Sequence, residues 1–218
     1  IVTIVGGGFT NRKEKSLNNI NVSIKNKKKI NIGFLPTASN DDNAKTQLFY
    51  KRFLNSGHSL SHFDLHTSSN GFRQWMSEKD IIYVGGGNTC NMIKFWKEKN
   101  LFEIFIDAYN NGTILSGVSA GAICWFNYIL TNSINNRLQS SKGLGVINYS
   151  CTPHASSEPE RLIIFEQKVK YALMPPGFAI DDGVAVLFIN GKFSKVFSSR
   201  PNHSAYFITE TGIKNLEE

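Results

Sequence analysis

The sequence predicts an α/β fold: a doubly wound, mostly parallel sheet with helices on both faces and a β-hairpin near the C-terminus. Three observations carry that expectation. Short apolar runs at residues 1–5, 30–35, 60–65, 80–84 and 113–118 read as strands. Segments of helical periodicity separate them, which demands parallel pairing and a sheet covered on both faces. Residues 184–189, the dipeptide Asn190-Gly191 and residues 193–197 spell a hairpin with a tight turn.

Taken in order, the first run ends at Gly6-Gly7-Gly8 and the second at Pro36-Thr37-Ala38-Ser39. Between Asp41 and Ser56, Ala44, Leu48, Phe49, Phe53 and Leu54 recur at helical spacing, with Gly57 placed as a stop. The run 80–84 leads into Gly85-Gly86-Gly87, and residues 88–99 have helical periodicity through Met92, Ile93, Phe95 and Trp96, whose aromatics suit a core or an interface. A helix over 101–110 and the strand 113–118 follow, and a further helix starts right after Ser119. Ser157 and Glu160 have the spacing of a capping box for a helix running through Leu162, Phe165 and Val169. Residues 205–209 add a last strand. No repeat or low-complexity segment interrupts the chain.

A length of 218 residues suits one domain spanning 1–218. The net charge of +7 includes a crowd of cations at Arg12, Lys13, Lys15, Lys25, Lys27, Lys28 and Lys29. These alternate with Asn and Ser rather than with stacking aromatics, so they read as a solvated face, and no nucleic-acid partner is expected. Residues 108–136 carry no charge, but Gly, Ser, Asn and Thr break every apolar stretch before it could span a bilayer, so no membrane partner is expected either. Cys90, Cys124 and Cys151 form no C-x-x-C pair and leave an odd count, which argues against a disulfide framework or a zinc ribbon and for a reducing, cytoplasmic compartment. The chain opens on Ile1, which leaves preceding residues or a removed signal peptide open. The oligomeric state, monomer or homodimer, is equally open.

The sharpest chemical feature is Gly117-Val118-Ser119-Ala120-Gly121, a G-x-S-x-G sequence where a strand ends and a helix begins. A nucleophilic serine on a tight turn projects above the sheet, small neighbours let the backbone pass close, and the following N–H groups face a developing oxyanion. Ala120 N–H is the natural first donor. Tyr83-Val84-Gly85-Gly86-Gly87-Asn88-Thr89 also ends a strand, and Gly86 or Gly87 can supply a second donor because no side chain obstructs the backbone. The alternative for the Ser119 turn is a packing device or a phosphate cradle, and for the Gly85–Gly87 turn an ordinary glycine-rich turn after a strand. A serine needs a base. His154, after Thr152-Pro153, sits on a loop between a strand and a helix, where it can reach over a sheet edge. His58, His62 and His66 have a spacing that suits metal only on a helix, and the strand reading makes it incidental.

Together, Phe34-Leu35-Pro36-Thr37-Ala38-Ser39, the Gly85–Asn88 turn, Gly117-Val118-Ser119-Ala120-Gly121-Ala122 and Thr152-Pro153-His154 follow one another in the order seen in peptidase E and cyanophycinase. The sequence resembles that family of serine peptidases over roughly residues 1–191. The resemblance implies a fold like the class I glutamine amidotransferases and flavodoxin, with no metal or organic cofactor. It implies Ser119 as nucleophile, His154 as general base and Gly87 with Ala120 as oxyanion donors, acting on short peptides and, in the best-known members, on bonds after aspartate. The acidic triad member best matches Asp182, with Asp181 as the neighbour that can substitute. Asn88 and Arg161 fall where substrate contacts are expected, Arg161 as partner of a substrate carboxylate. Two rivals remain: an esterase of the α/β-hydrolase kind using Ser119, Asp182 and His203, and a catalytically silent protein that keeps the fold to bind a ligand.

Overall fold

The computed structural model describes residues 2–5 and 29–216, the first four as backbone. The Gly6-Gly7-Gly8 run and the cations from Arg12 to Lys28 lie outside the described residues. A seven-stranded sheet is built on five parallel strands, β1 (Val2–Val5), β2 (Asn31–Leu35), β3 (Ser59–His62), β4 (Ile81–Val84) and β5 (Ile114–Val118), in the order β3-β2-β4-β5-β1. The expected hairpin extends it. Val184–Ile189 and Lys192–Ser198 (β10 and β11) add antiparallel strands beyond β1, and the turn residues Asn190 and Gly191 both take positive φ, 52° and 73°.

Alternation along the parallel strands separates two apolar faces. On one, Ile32, Phe34, Ile81, Tyr83, Ile114 and Val118 pack against Phe49 and Phe53 of α1 (Asn43–Phe53), where Phe34 stacks on Phe49 at 4.7 Å. Asp42 caps α1 by accepting the Ala44 N–H. Leu48 and Leu54, expected on the apolar stripe, are exposed because the buried stripe runs through Thr46, Phe49 and Phe53. On the other face, Ile82, Val84 and Leu115 meet α2 (Phe72–Ser77), α3 (Thr89–Glu98) and α4 (Phe102–Asn110) through Phe72, Met76, Trp96 and Phe105. Trp96 is core, stacked 6.3 Å from Trp125, whereas Phe95 is only partly buried and lies on the His66 ring.

The helix expected after Ser119 is a single turn, α5 (Ala120–Ile123). The chain then enters β6 (Phe126–Ile134), whose aromatic and β-branched residues favour extended backbone over helix. This strand belongs to a second sheet that sequence analysis did not foresee, with β7 (Arg137–Lys142), β8 (Ile147–Thr152), β9 (Gly177–Ile180), β12 (Ala205–Thr209) and β13 (Gly212–Leu216). Its order is β13-β12-β9-β8-β6-β7. One face meets the first sheet, with Phe126 and Phe178 5.5 Å and 4.9 Å from Phe188 of β10. The other face is covered by Phe165 and Val169 of α6 (Glu160–Lys170). The capping box expected for α6 does not form: Pro159 is the N-cap residue, and Ser157 turns to the Asp182 carboxylate instead.

Trp125 lies where α3, α4 and the start of β6 converge, fully buried, its ring 5.6 Å from Phe105. Trp125→Ala is expected to destabilise the fold by about 3–5 kcal/mol, measured by urea unfolding; a change below about 1 kcal/mol would show that this junction does not hold the two sheets together.

Candidate functional site

Ser119 stands at the C-terminal end of β5 with φ 52° and ψ −113°, a conformation costly for a residue with a side chain. The flanking glycines explain how the chain can turn there. A β-carbon on Gly117 would lie 2.3 Å from Gly121 O, and one on Gly121 would lie 2.1 Å from Val84 O, so backbone passes where any side chain would collide. Beside it, the loop from Gly85 to Asn88 is pinned at both ends: Gly85 N–H donates to Leu35 O at 3.0 Å and Asn88 N–H to Ala38 O at 2.7 Å. Gly87 has φ 155°, and a β-carbon there would meet Ala38 O at 2.0 Å. One on Gly86 would lie 3.3 Å from Ser119 Cβ, so the loop runs directly alongside the serine. Lys45 of α1 reaches across and donates from Nζ to Gly86 O at 2.7 Å.

His154 follows β8 and adopts φ 61°. Its Nε2 lies 2.8 Å from Ser119 Oγ and its Nδ1 2.7 Å from Asp182 Oδ1. The two partners are largely buried, with side chains 20% and 16% exposed. Burial alone would raise the Asp182 carboxyl. Hydrogen bonds from Ser157 and His154, and the electrostatic pull of the His154 ring and the Arg200 cation, outweigh it and hold the pKa below the ordinary carboxylate value. Ser156 fixes the same residue from behind, its Oγ accepting Asp182 N–H at 3.0 Å. An ionised Asp182 accepts a hydrogen bond from His154 Nδ1–H, which leaves Nε2 as the acceptor facing Ser119.

Asp181 points elsewhere. Its carboxylate accepts Ser204 N–H at 3.0 Å and the Tyr206 hydroxyl at 3.5 Å, and burial pushes its pKa up, so it joins β9 to β12 rather than substituting for Asp182. The structure does not bring His203 to the serine: it is bonded through Nδ1 to Pro201 O at 3.0 Å, in a different cleft with Arg200, Tyr206 and Asn215.

Two expected substrate contacts are committed to the fold. Asn88 caps α3, its Oδ1 accepting Asn91 N–H at 2.9 Å while Nδ2 donates to Ser133 O at 2.9 Å. Arg161 is 2% exposed. Its guanidinium donates to Glu158 Oε2 at 2.8 Å, and to Leu130 O and Thr152 Oγ1 at 3.4 Å, a buried group paired inside the protein. The cleft holding Ser119 and His154 measures about 310 Å³ and is walled by Phe34, Leu48, Val118, Lys45 and the glycine loop. Lys45 and Leu48 gave no sequence signal beyond their helix, and Ser157 was read only as a cap. Larger clefts of about 520 Å³ and 670 Å³ contain no comparable pairing of nucleophile and base. Cys124 and Cys151 are buried free thiols whose pKa burial drives well up, which makes them inert.

Comparison with known proteins fits this geometry. The profile of peptidase family S51 matches residues 1–196. The uncharacterised peptidase YgaJ of Bacillus subtilis (strain 168) is 38% identical over 94% of this chain and 90% of its own length. Peptidase E of Haemophilus influenzae (strain Rd) is 29% identical over 63% of this chain and 65% of its own. The crystal structure of a peptidase from an acI-B1 actinobacterium superposes with a TM-score of 0.72 at 17% identity, over 99% of this chain and 93% of that one, a likeness of fold. No helix among the described residues is long and apolar enough to cross a membrane.

Because the folded pKa of Asp182 lies below the ordinary 3.8, its ionised form stabilises the fold above that value, and the contribution fades as pH falls through the lowered one. Asp182→Asn should therefore be less stable than the wild type near pH 7 and converge on it in acid, once the pH has fallen below the lowered value, as read by urea unfolding across pH. A gap that stays constant into acid would contradict the pairing.

Proposed function

The chain belongs to peptidase family S51, and from that premise we propose that this serine peptidase hydrolyses short peptides through an acyl-enzyme on Ser119. The observation that carries the reading is the pair of hydrogen bonds, 2.8 Å and 2.7 Å, running from Ser119 through His154 to Asp182 on a strained strand-to-helix turn.

The steps follow from those contacts. Ser119 Oγ attacks the scissile carbonyl carbon as its proton passes to His154 Nε2, and the carbonyl electron pair moves onto oxygen. Ala120 N–H and the N–H of Gly86 or Gly87 hold that oxyanion. As the tetrahedral adduct collapses, His154 returns the proton to the leaving amine. Water then enters and attacks the acyl carbon as it gives a proton to Nε2, and His154 returns that proton to Ser119 Oγ as the Oγ–acyl bond breaks and the acid leaves. Asp182 keeps the imidazole oriented and stabilises its protonated form. Because α5 is one turn long, oxyanion stabilisation rests on individual N–H groups, not on the dipole of a long helix.

A cleft of about 310 Å³ admits a residue or two, which favours short peptides over folded proteins. With Arg161 turned inward onto Glu158, an aspartate preference loses the partner expected for it. The three free cysteines suit a reducing compartment, and a cytoplasmic location is part of the same proposal.

A fluorophosphonate probe is expected to label the wild type stoichiometrically at Ser119, and Ser119→Ala to lose at least about 10⁴-fold in dipeptide turnover while keeping its fold. A panel of dipeptides that includes Asp-X substrates reads the preference. Turnover retained in Ser119→Ala would overturn the assignment.

A further inference from the structure

We propose that Lys45 is a positioning residue for the oxyanion donors of this site: its ammonium group holds the Gly86–Gly87 peptide so that the N–H end faces the substrate oxygen. The inference rests on the acyl-enzyme reading above and adds to it a residue remote in sequence from both glycine turns.

The glycine loop is anchored at Gly85 N–H and at Asn88 N–H, on Leu35 O and Ala38 O. Between those anchors lies the peptide joining Gly86 to Gly87. It is flanked on both sides by residues without a β-carbon, so the rotations that flip a peptide plane meet little steric resistance. Gly87 itself, at φ 155°, sits in a region that residues with side chains rarely adopt. The bond from Lys45 Nζ to Gly86 O, at 2.7 Å, is the tether of this stretch among the described residues.

That single bond fixes both ends of the peptide. Carbonyl and N–H point in opposite directions across a trans peptide, so clamping Gly86 O sets where Gly87 N–H points. A flipped peptide would present carbonyl lone pairs, and repulsion, to a developing oxyanion. The cation also draws electron density towards the carbonyl oxygen, making the N–H at the far end a stronger donor. A β-carbon on Gly86 would lie 3.3 Å from Ser119 Cβ, and both glycines line the cleft that holds Ser119, so this peptide is beside the reacting atoms, whereas Lys45 acts through it. Lys45 can do so because α1 lies over the same end of the sheet, with Lys45 and Leu48 both on the cleft wall.

The test compares Lys45→Met and Lys45→Arg with the wild type on p-nitrophenyl acetate, a neutral ester, together with the rate of fluorophosphonate labelling at Ser119. Lys45→Met should lose roughly 10–100-fold in kcat and in labelling rate, less than the 10²–10³ that loss of a whole oxyanion donor costs. KM and thermal stability should change little, and Lys45→Arg should recover most of the rate. Should Lys45→Met not fold, Lys45→Gln, which keeps a neutral donor, is expected to fall between the two. Unchanged ester turnover in Lys45→Met overturns the inference. So does a rise confined to KM for acidic peptides, which would make Lys45 a substrate contact. A wild type that is not labelled at Ser119 overturns the acyl-enzyme reading and this inference with it; a labelled wild type with an equally reactive Lys45→Met removes the inference alone.

Discussion

The site depends on how closely three pieces of backbone pass one another at the end of β5. Gly117 stands where a β-carbon would be 2.3 Å from Gly121 O, and Gly121 where one would be 2.1 Å from Val84 O. With those side chains absent, β4 and the turn after β5 share a space that otherwise admits only one of them. The chain can then fold back sharply enough to hold Ser119 at φ 52°. The strain is local, and the surrounding contacts over-determine it: β5 is hydrogen-bonded on both sides by β1 and β4, and the whole of it is buried.

Around that turn, charge is arranged by two neighbouring aspartates with opposite environments. Asp182 receives hydrogen bonds from Ser157 and His154 and is held ionised; Asp181 is drawn into the β9–β12 junction, where burial dominates and raises its pKa. Adjacent residues on a short connection point to opposite sides, so the identity of the side chain does not decide the role. The backbone register does. Ser156 and Ser157 take part in the same division of labour, one bonded to the backbone of Asp182 and the other to its carboxylate.

The second sheet gives His154 its position. β8 runs parallel to both β6 and β9, and the histidine leaves the end of β8 close to where Asp182 follows β9. The aromatic contacts of Phe126 and Phe178 with Phe188 join that sheet to the one carrying Ser119. Packing between sheets therefore brings the base to the nucleophile, and close-packed interiors transmit such positions with little play.

Much of this was legible in the chain. Apolar runs ending in glycine turns located β4 and β5, because a buried parallel strand must be apolar throughout and a sharp exit demands glycine. Asn190-Gly191 announced its hairpin, and the G-x-S-x-G spacing singled out Ser119 through sterics that are local. A further hairpin turn went unread: Asn135 and Asn136 both take positive φ, a preference of asparagine that the sequence did display. What tertiary structure alone decided are the long-range choices. Arg161 is buried against Glu158, Asn88 is spent on a helix cap, His154 rather than His203 meets the serine, and Lys45 grips Gly86 from another element. Each depends on which surfaces come together when two sheets pack, and a side chain's type and spacing carry no record of the partner it will meet across that interface.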